Sequence, residues 1–405
     1  METLSGAPEL FARLSREPDF TADELLPSDA TDELLLATAA EEIRGLGPGE
    51  LVVIGDRHGA LTLGAIELLG AGEVRVFQDP LLGELALHAN AARLGVGLAD
   101  NSAAVFRSHA LDASLLRGAR IVLVQLPRGL DALEEIAWSI AQWAHPEVRV
   151  FAGGRIKHMT RAMNDVLGRH FGEVAAGLGW RKSRVLTARM PQRTGDSSFP
   201  RWGTDPALDF RVAAFGATFG GPTLDHGSRL LLQDLDSAAP AARRIVDLGC
   251  GNGVLATAAA RSRPAARVIA TDQSAAAVAA TIRTAAEAQV LRGSATHGLD
   301  VGTTAPQPGD EPGVWVTRAD ALDGVPDGWA ELILLNPPFH TGATVHAGVA
   351  HRLIGACARA LAPGGELRLV FNSHLQYRGL VERAIGPTRQ IARDRTFTVL
   401  AATRR

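Results

Sequence analysis

The sequence predicts an α/β protein made of two tandem doubly wound domains. Three observations carry that reading. Apolar strand-like runs alternate with helical patterns along the 405 residues, the signature of a mostly parallel sheet. In the second half a β-branched run, Arg244–Leu248, meets the glycine cluster Gly249-Cys250-Gly251-Asn252-Gly253. The first half then shows the same order of elements, which makes the chain a duplication. We place the first domain at residues 1–195 and the second at 196–405, joined within Pro191–Pro206, where Pro, Gly, Ser and Asp cluster.

In the first half Leu51–Ile54 reads as a strand ending at Gly55-Asp56-Arg57-His58-Gly59. A helix over Ala60–Leu69 and a strand over Glu73–Phe77, ending at Gln78-Asp79, follow. Arg120–Val124 leads into Gln125-Leu126-Pro127-Arg128, and Glu147–Phe151 is a further strand. In the second half the glycine cluster opens a helix over Val254–Arg261, and a strand over Arg267–Thr271 ends at Asp272. Next come a helix over Ser274–Ala288 and a strand over Val314–Thr317. Glu331–Leu335 then leads into Asn336-Pro337-Pro338-Phe339, and Glu366–Phe371 echoes Glu147–Phe151. An antiparallel strand, Thr396–Ala402, closes the sheet. Asp56 to Asp79 is 23 residues and Asp247 to Asp272 is 25; Asp56 to Pro127 is 71 and Asp247 to Pro337 is 90. The excess of 19 matches the polar Gly/Pro/Thr stretch Arg292–Gly313, read as an inserted flexible loop.

Composition narrows the class. Hydrophobic residues at 46% and charged residues at 21% fit a globular chain and exclude a disordered one. Only Cys250 and Cys357 occur, so there is no disulfide framework and a reducing compartment fits. The first 20 residues carry Glu2, Glu9, Glu17 and Asp19 without a long apolar core, so no signal peptide is expected. No apolar run of membrane-spanning length occurs. A cytoplasmic protein, acting as a monomer, is expected. Net charge is -3, yet residues 1–150 hold 11 basic and 23 acidic residues, whereas 151–201 and 352–405 each hold 10 basic and 3 acidic. Either basic segment alone reads as a solvated face; two in a neutral protein point to a polyanionic partner.

The glycine cluster sets the ligand class. A strand, a glycine turn and a helix make a binding place at the carboxyl edge of a sheet. A dinucleotide fingerprint needs its third glycine three residues after the second, and that position is Val254. The spacing here is GxGxG, which suits S-adenosylmethionine. Asp272 is placed for the ribose hydroxyls, Asp320 for the adenine amine, and Asp247 for the loop or the ligand's ammonium. Gly249, Gly251, Asn252, Gly253, Gln273, Ala321 and Asn336 complete the expected cofactor set. Cys250 reads as a small buried residue.

Asn336-Pro337-Pro338-Phe339 is the candidate catalytic tetrapeptide. The Asn336 side-chain oxygen and the Pro337 carbonyl can both accept hydrogen bonds from a planar amine, with Pro338 stiffening the turn and Phe339 stacking on the target ring. An activated methyl sulfonium needs orientation and dipoles rather than a metal. His340, His346 and His351 show no zinc spacing, so no metal is expected; His340 lies beside the proposed base pocket. Leu353, Ile354, Cys357 and Leu361 form one apolar helical face, and Pro363-Gly364-Gly365 stops that helix.

Together these residues resemble the class I methyltransferases that modify the guanine N2 amine in ribosomal RNA, the bacterial large-subunit methyltransferase G and small-subunit methyltransferase C families. The resemblance lies in Leu224–Leu232, Asp247–Gly253, Asn336–His340 and Gly364–Leu369, and more loosely in the whole chain. It implies two methyltransferase-like domains with only the second active, and a first domain that supports folding and binds RNA. The first half departs as expected of a degenerate copy: Gly55–Gly59 lacks the middle glycine and Gln125–Arg128 replaces the tetrapeptide. The Pro127-Arg128 turn and Ala152–His158 look most like the large-subunit branch, which slightly favours ribosomal RNA of that subunit. Two other functions remain open at this point. One keeps the chemistry on another planar amine, adenine N6 or a protein glutamine amide. The other is a non-catalytic RNA-binding or ribosome assembly factor.

Overall fold

The computed structural model describes residues 4–97, 105–295, 310–337 and 347–405. Two compact units meet in sequence between Phe199 and Pro200. In the first, β1 (Leu51–Ile54), β2 (Val74–Phe77), β3 (Phe106–Ser108), β4 (Ile121–Gln125), β5 (Arg149–Arg155), β6 (Phe171–Ala176) and β7 (Ser183–Pro191) form one sheet. Its order is β3-β2-β1-β4-β5-β7-β6. The first five strands run parallel, and β7 inserts antiparallel between β5 and β6. Every residue of β1 is buried, as an inner parallel strand covered on both faces must be. One apolar layer gathers Leu35, Leu61, Leu63 and Leu87, the other Leu133, Ile140, Val166 and Leu186.

The second unit opens with a hairpin of β8 (Arg201–Gly203) and β9 (Val212–Ala214). Its main sheet comprises β10 (Arg244–Leu248), β11 (Arg267–Asp272), β12 (Leu291–Ala295), β13 (Gly313–Arg318), β14 (Ala330–Leu335), β15 (Leu361–Asn372), β16 (Thr388–Arg393) and β17 (Phe397–Thr403). The order β12-β13-β11-β10-β14-β15-β17-β16 repeats that of the first unit with β12 added at the edge. The closing strand expected over Thr396–Ala402 is β17, antiparallel to both β15 and β16.

Two local expectations are corrected. The stretch Arg292–Gly313 is not loop throughout: Leu291–Ala295 pairs in parallel with β13, while 296–309 lie outside the described residues. Gly293 permits this, because a Cβ there would stand 2.5 Å from the Trp315 ring. The helix Ala347–Ala360 ends before Pro363, and β15 begins at once, shifting register between its pairs at Leu361 and Glu366 to carry Pro363-Gly364-Gly365. Leu353, Ile354, Cys357 and Leu361 do face one core.

The strand registers also correct how the halves correspond. Gly55 and Gly249 both have positive φ (78° and 75°), and each donates its N–H to a matching carbonyl near the end of the second strand, that of Phe77 or Thr271, at 2.9 and 2.8 Å. Gly59 and Gly253 both begin a helix with positive φ. Asp56 therefore corresponds to Cys250, not to Asp247, whose counterpart is Val53. Gln78 rather than Asp79 matches Asp272, and Pro127 matches Pro338 rather than Pro337.

Candidate active site

The glycine loop leaves β10 at the carboxyl edge of the sheet. Gly249, Gly251 and Gly253 all lie in the left-handed region, which glycine enters without a Cβ penalty. Gly253 and Gly251 serve different ends. A Cβ on Gly253 would stand 2.8 Å from the backbone of Thr281, so this glycine lets the helix Ala275–Glu287 approach. A Cβ on Gly251 would meet nothing within 4 Å: it faces open space beside Asp272. Cys250 is buried, receives a hydrogen bond from Thr281 Oγ1 at 3.2 Å, and has its thiol pushed far above the usual range by burial.

Asp272 ends β11 and accepts from the N–H groups of Gly251 (3.1 Å) and Ser274 (2.9 Å). Gln273 beside it has a buried Oε1 with no partner among the described residues. Asp247 is buried; its Oδ2 accepts from Ala256 N at 2.9 Å, in the first turn of the helix Val254–Ser262, and its Oδ1 lacks a described partner. Burial, reinforced by the charges of Asp272 and Asp225, lifts the Asp247 carboxyl to about 7. Asp320 follows β13 and pairs with Arg352 at 2.8 Å, so one oxygen is engaged within the protein. Ala321 takes positive φ and accepts from Thr271 Oγ1 at 2.9 Å. The Asn252 amide turns toward the protein, donating to the carbonyls of Gly221 (3.0 Å) and Thr223 (2.8 Å). It anchors the segment that leads to Asp225 rather than pointing its amide at the open side of the loop.

Three carboxylates at the loop, two unpartnered buried acceptors and open space at Gly251 fit a cationic, hydroxyl-rich ligand such as S-adenosylmethionine. They do not suit a pyrophosphate, whose charge they would repel.

Asn336 leaves the end of β14, half-buried, followed by buried Pro337; Pro338, Phe339, His340 and His346 lie outside the described residues. Its Nδ2 donates to Asp225 Oδ1 at 3.0 Å and to Ser228 Oγ at 3.1 Å. Asp225 also caps the helix His226–Gln233, accepting from Gly227 N (2.9 Å) and Ser228 N (3.1 Å). Gly227 leaves room for the amide: a Cβ there would stand 3.1 Å from both Nδ2 and Oδ1 of Asn336. The far end of this helix is held to the sheet through Asp234, which pairs with the buried Arg368; Arg368 Nε also reaches Glu366 at 2.5 Å. Asp225 and Ser228 are absent from the motif reading of the site. Their sequence signals are an Asp-x-x-Ser helix start, which many helices share, and their place in the Leu224–Leu232 stretch of the resemblance, and neither points to Asn336.

The same edge of the first unit is differently occupied. Arg57 stands where Gly251 does and adopts almost the same φ, 57° against 55°. Gln78, at the Asp272 position, is buried, and a Cβ on Gly83 of the helix Leu81–Leu94 would stand 2.3 Å from its Oε1. Gln125, at the Asn336 position, donates to buried Asp32. Exposed Arg57, Arg128 and Lys157 gather here with Arg155 around His158, whose imidazole is held below its ordinary range by desolvation and by those four charges. Among the described residues, Arg57, Arg128 and Lys157 make no ion pair. The basic segment 352–405, by contrast, commits Arg352, Arg359 and Arg389 to Asp320, Asp327 and Glu366. Among the described residues no group of three or more His, Cys, Asp or Glu could hold a metal, and no helix is long and apolar enough to cross a membrane.

This strand order, with an acid-flanked glycine loop after β10 and Asn-Pro after β14, defines a class I S-adenosylmethionine-dependent methyltransferase whose fold occurs twice in one chain. Comparison with known proteins agrees. The RLMG N-terminal domain matches residues 3–192, and the methyltransferase small domain matches 209–306 and 303–401. Ribosomal RNA large subunit methyltransferase G of Pseudomonas entomophila is 33% identical over 402 residues, covering 98% of this chain and 99% of that protein. The Streptomyces coelicolor protein of the same name is 31% identical over 401 residues, covering 96% and 97%. A solved T. thermophilus 16S rRNA N2 methyltransferase, in complex with AdoMet and guanosine, superposes with a TM-score of 0.69 at 20% identity, covering 93% of this chain and 92% of that one. The chain belongs to the ribosomal RNA large subunit methyltransferase G family.

Proposed function

We propose that this enzyme transfers a methyl group from S-adenosylmethionine to the exocyclic N2 amine of a guanine in large-subunit ribosomal RNA. The observation that carries the reading is the Asn336 amide, held beside an acidic glycine loop with its oxygen left to accept. When bound, S-adenosylmethionine supplies a methyl group already activated on sulfonium. The protein's own work is orientation. Asp272 and the loop Gly249–Gly253 hold the cofactor, with Gln273, Asp320 and Ala321 lining it and the carboxyl of Asp247 beneath. Asn336 Oδ1 and the Pro337 carbonyl accept from the amine, aiming its lone pair and stabilising positive charge as it develops on nitrogen. Pro338 and Phe339 complete the tetrapeptide, Phe339 by stacking on the base. The first unit contacts RNA through Arg57, Arg128 and Lys157, cations without an ion pair among the described residues and grouped at one sheet edge, which suits phosphate neutralisation.

The test is transfer of labelled methyl to separated subunits and their naked RNAs from cells lacking the protein, followed by nucleoside analysis. Label in N2-methylguanosine from large-subunit RNA is expected. Label in another nucleoside overturns the base assignment; no label on any RNA, with cofactor still bound, overturns the substrate class. Replacing Arg57, Arg128 and Lys157 together with Gln should lower the salt dependence of RNA binding by about two to three in log–log slope. An unchanged slope removes that edge from the RNA contact.

A further inference from the structure

We propose that Asp225 and Ser228 are positioning residues for methyl transfer: by taking both amide hydrogens of Asn336 they fix which end of that amide meets the substrate. The inference rests on the reading of Asn336 as the group that holds the target amine. An asparagine amide presents two chemically opposite ends, a double donor and an acceptor, that exchange by a half-turn of the side chain. Only the acceptor end can hold an amine whose lone pair must stay free. Asp225 decides the matter, because a carboxylate only accepts; the atom 3.0 Å from its Oδ1 must be Nδ2. Ser228 Oγ takes the second hydrogen at 3.1 Å, so a half-turn would break two bonds and set an oxygen against an anion.

The two acceptors are themselves held. Asp225 receives the Gly227 and Ser228 N–H groups as the cap of its helix, so the helix start and the amide share one carboxylate. Gly227, without a Cβ, admits the amide against the helix. A hydrogen bond to an ionised acceptor is stronger than one to a neutral group and draws electrons along the amide toward Oδ1. The clamp thus orients the acceptor and makes it a better one. The first unit holds Gln125 against Asp32 in a related way, which makes a purely structural tie the alternative to be excluded.

Two full-length variants test it. Asp225→Asn keeps a good helix cap but faces Asn336 with a side chain that can also donate, so either amide orientation becomes possible. Ser228→Ala removes one acceptor and favours the helix. Each should lower kcat about 10- to 100-fold while KM for RNA and the cofactor Kd stay within about twofold. In the cofactor-free protein, selectively labelled Asn336 should show two hydrogen-bonded side-chain amide proton signals by NMR. In Asp225→Asn these should shift and exchange faster. Wild-type kcat in both variants, or a loss confined to KM, cofactor affinity or thermal stability, overturns the positioning role. The underlying reading is judged separately by Asn336→Ala: if that variant keeps full turnover, the assignment of Asn336 itself falls.

Discussion

The two glycine loops are one backbone with two outcomes. Positions 55, 57 and 59 of the first unit and 249, 251 and 253 of the second all have positive φ. In the second unit the middle position is glycine and the space beside it is open. In the first it is arginine, held in a conformation that costs a side-chain residue about 1–2 kcal/mol. At the end of the second strand stands an acid accepting the Gly251 N–H in one unit, and just past it a glutamine pressed against the next helix in the other. The fold does not need the binding site: the same loop backbone is kept where side chains occupy these positions.

The sharpest way to break this comparison is to truncate the matched amides. Asn336→Ala should lower turnover about 100- to 1,000-fold with cofactor binding kept, whereas Gln125→Ala should leave turnover within about twofold. Equal losses in methyl-transfer assays would mean that the first unit takes part in the chemistry. Next comes Gly251→Arg, which copies Arg57. Arg57 shows that the backbone tolerates arginine, so the variant should fold yet weaken cofactor binding at least about 100-fold in calorimetry, through the steric and charge block alone. The reciprocal Arg57→Gly should create no second site, because Gln78 still fills its floor. Asp272→Ala should weaken the cofactor about 10- to 100-fold, the worth of hydrogen bonds to a charged acceptor. Gln78→Ala should change stability and not that affinity.

The smallest expected effect concerns protons. Burial lifts Asp32 and Asp247 to about 7 and Asp56 to about 6. These groups keep their protons in the folded chain where the unfolded chain, with carboxyls near about 4, has released them. The folded state binds more protons in that window, so their contribution to stability falls as pH rises from about 4 to 7 and then levels off. Asp32 is faced by Asp29, Asp56 and Arg57, and Asp32→Asn should flatten part of the slope. A Tm for the variant that tracks wild type between pH 5 and 7.5 would show that Asp32 ionises normally.

Much of this was legible in the sequence. β1 and β10 are read to the residue, since a β-branched run meeting a glycine turn leaves little freedom. The glycine loop and Asn-Pro turn follow from spacing alone. The register shifts the pairing of the halves by three residues at the loop and by one at the second strand and the Asn-Pro turn, because Asp56 and Asp247 look alike in sequence. Only backbone register shows that one lies in the loop and the other in the strand. Asn252 reads as a ligand contact because it sits between glycines, and the structure adds a second role for its side-chain NH2, which ties the loop to the carbonyls of Gly221 and Thr223. Asp225 and Ser228 lie more than 100 residues from Asn336, and no local pattern announces a contact at that separation. β12 is hidden because Arg292, Gly293 and Ser294 lack strand propensity, and Gly293 lies against the distant Trp315 ring.

The capping carboxylates carry a consequence for anyone who would revive the first unit. Asp247 reaches its helix from the strand; Asp56 reaches Leu61 N and Thr62 N, at 2.7 and 2.8 Å, from within the loop. Transplanting the active loop would delete Asp56 and leave that helix uncapped, at a cost of about 1–2 kcal/mol. Only a simultaneous Val53→Asp would restore the anchor. No single substitution therefore interconverts the two loops, because the acid that anchors the helix sits in the loop in one unit and in the strand in the other.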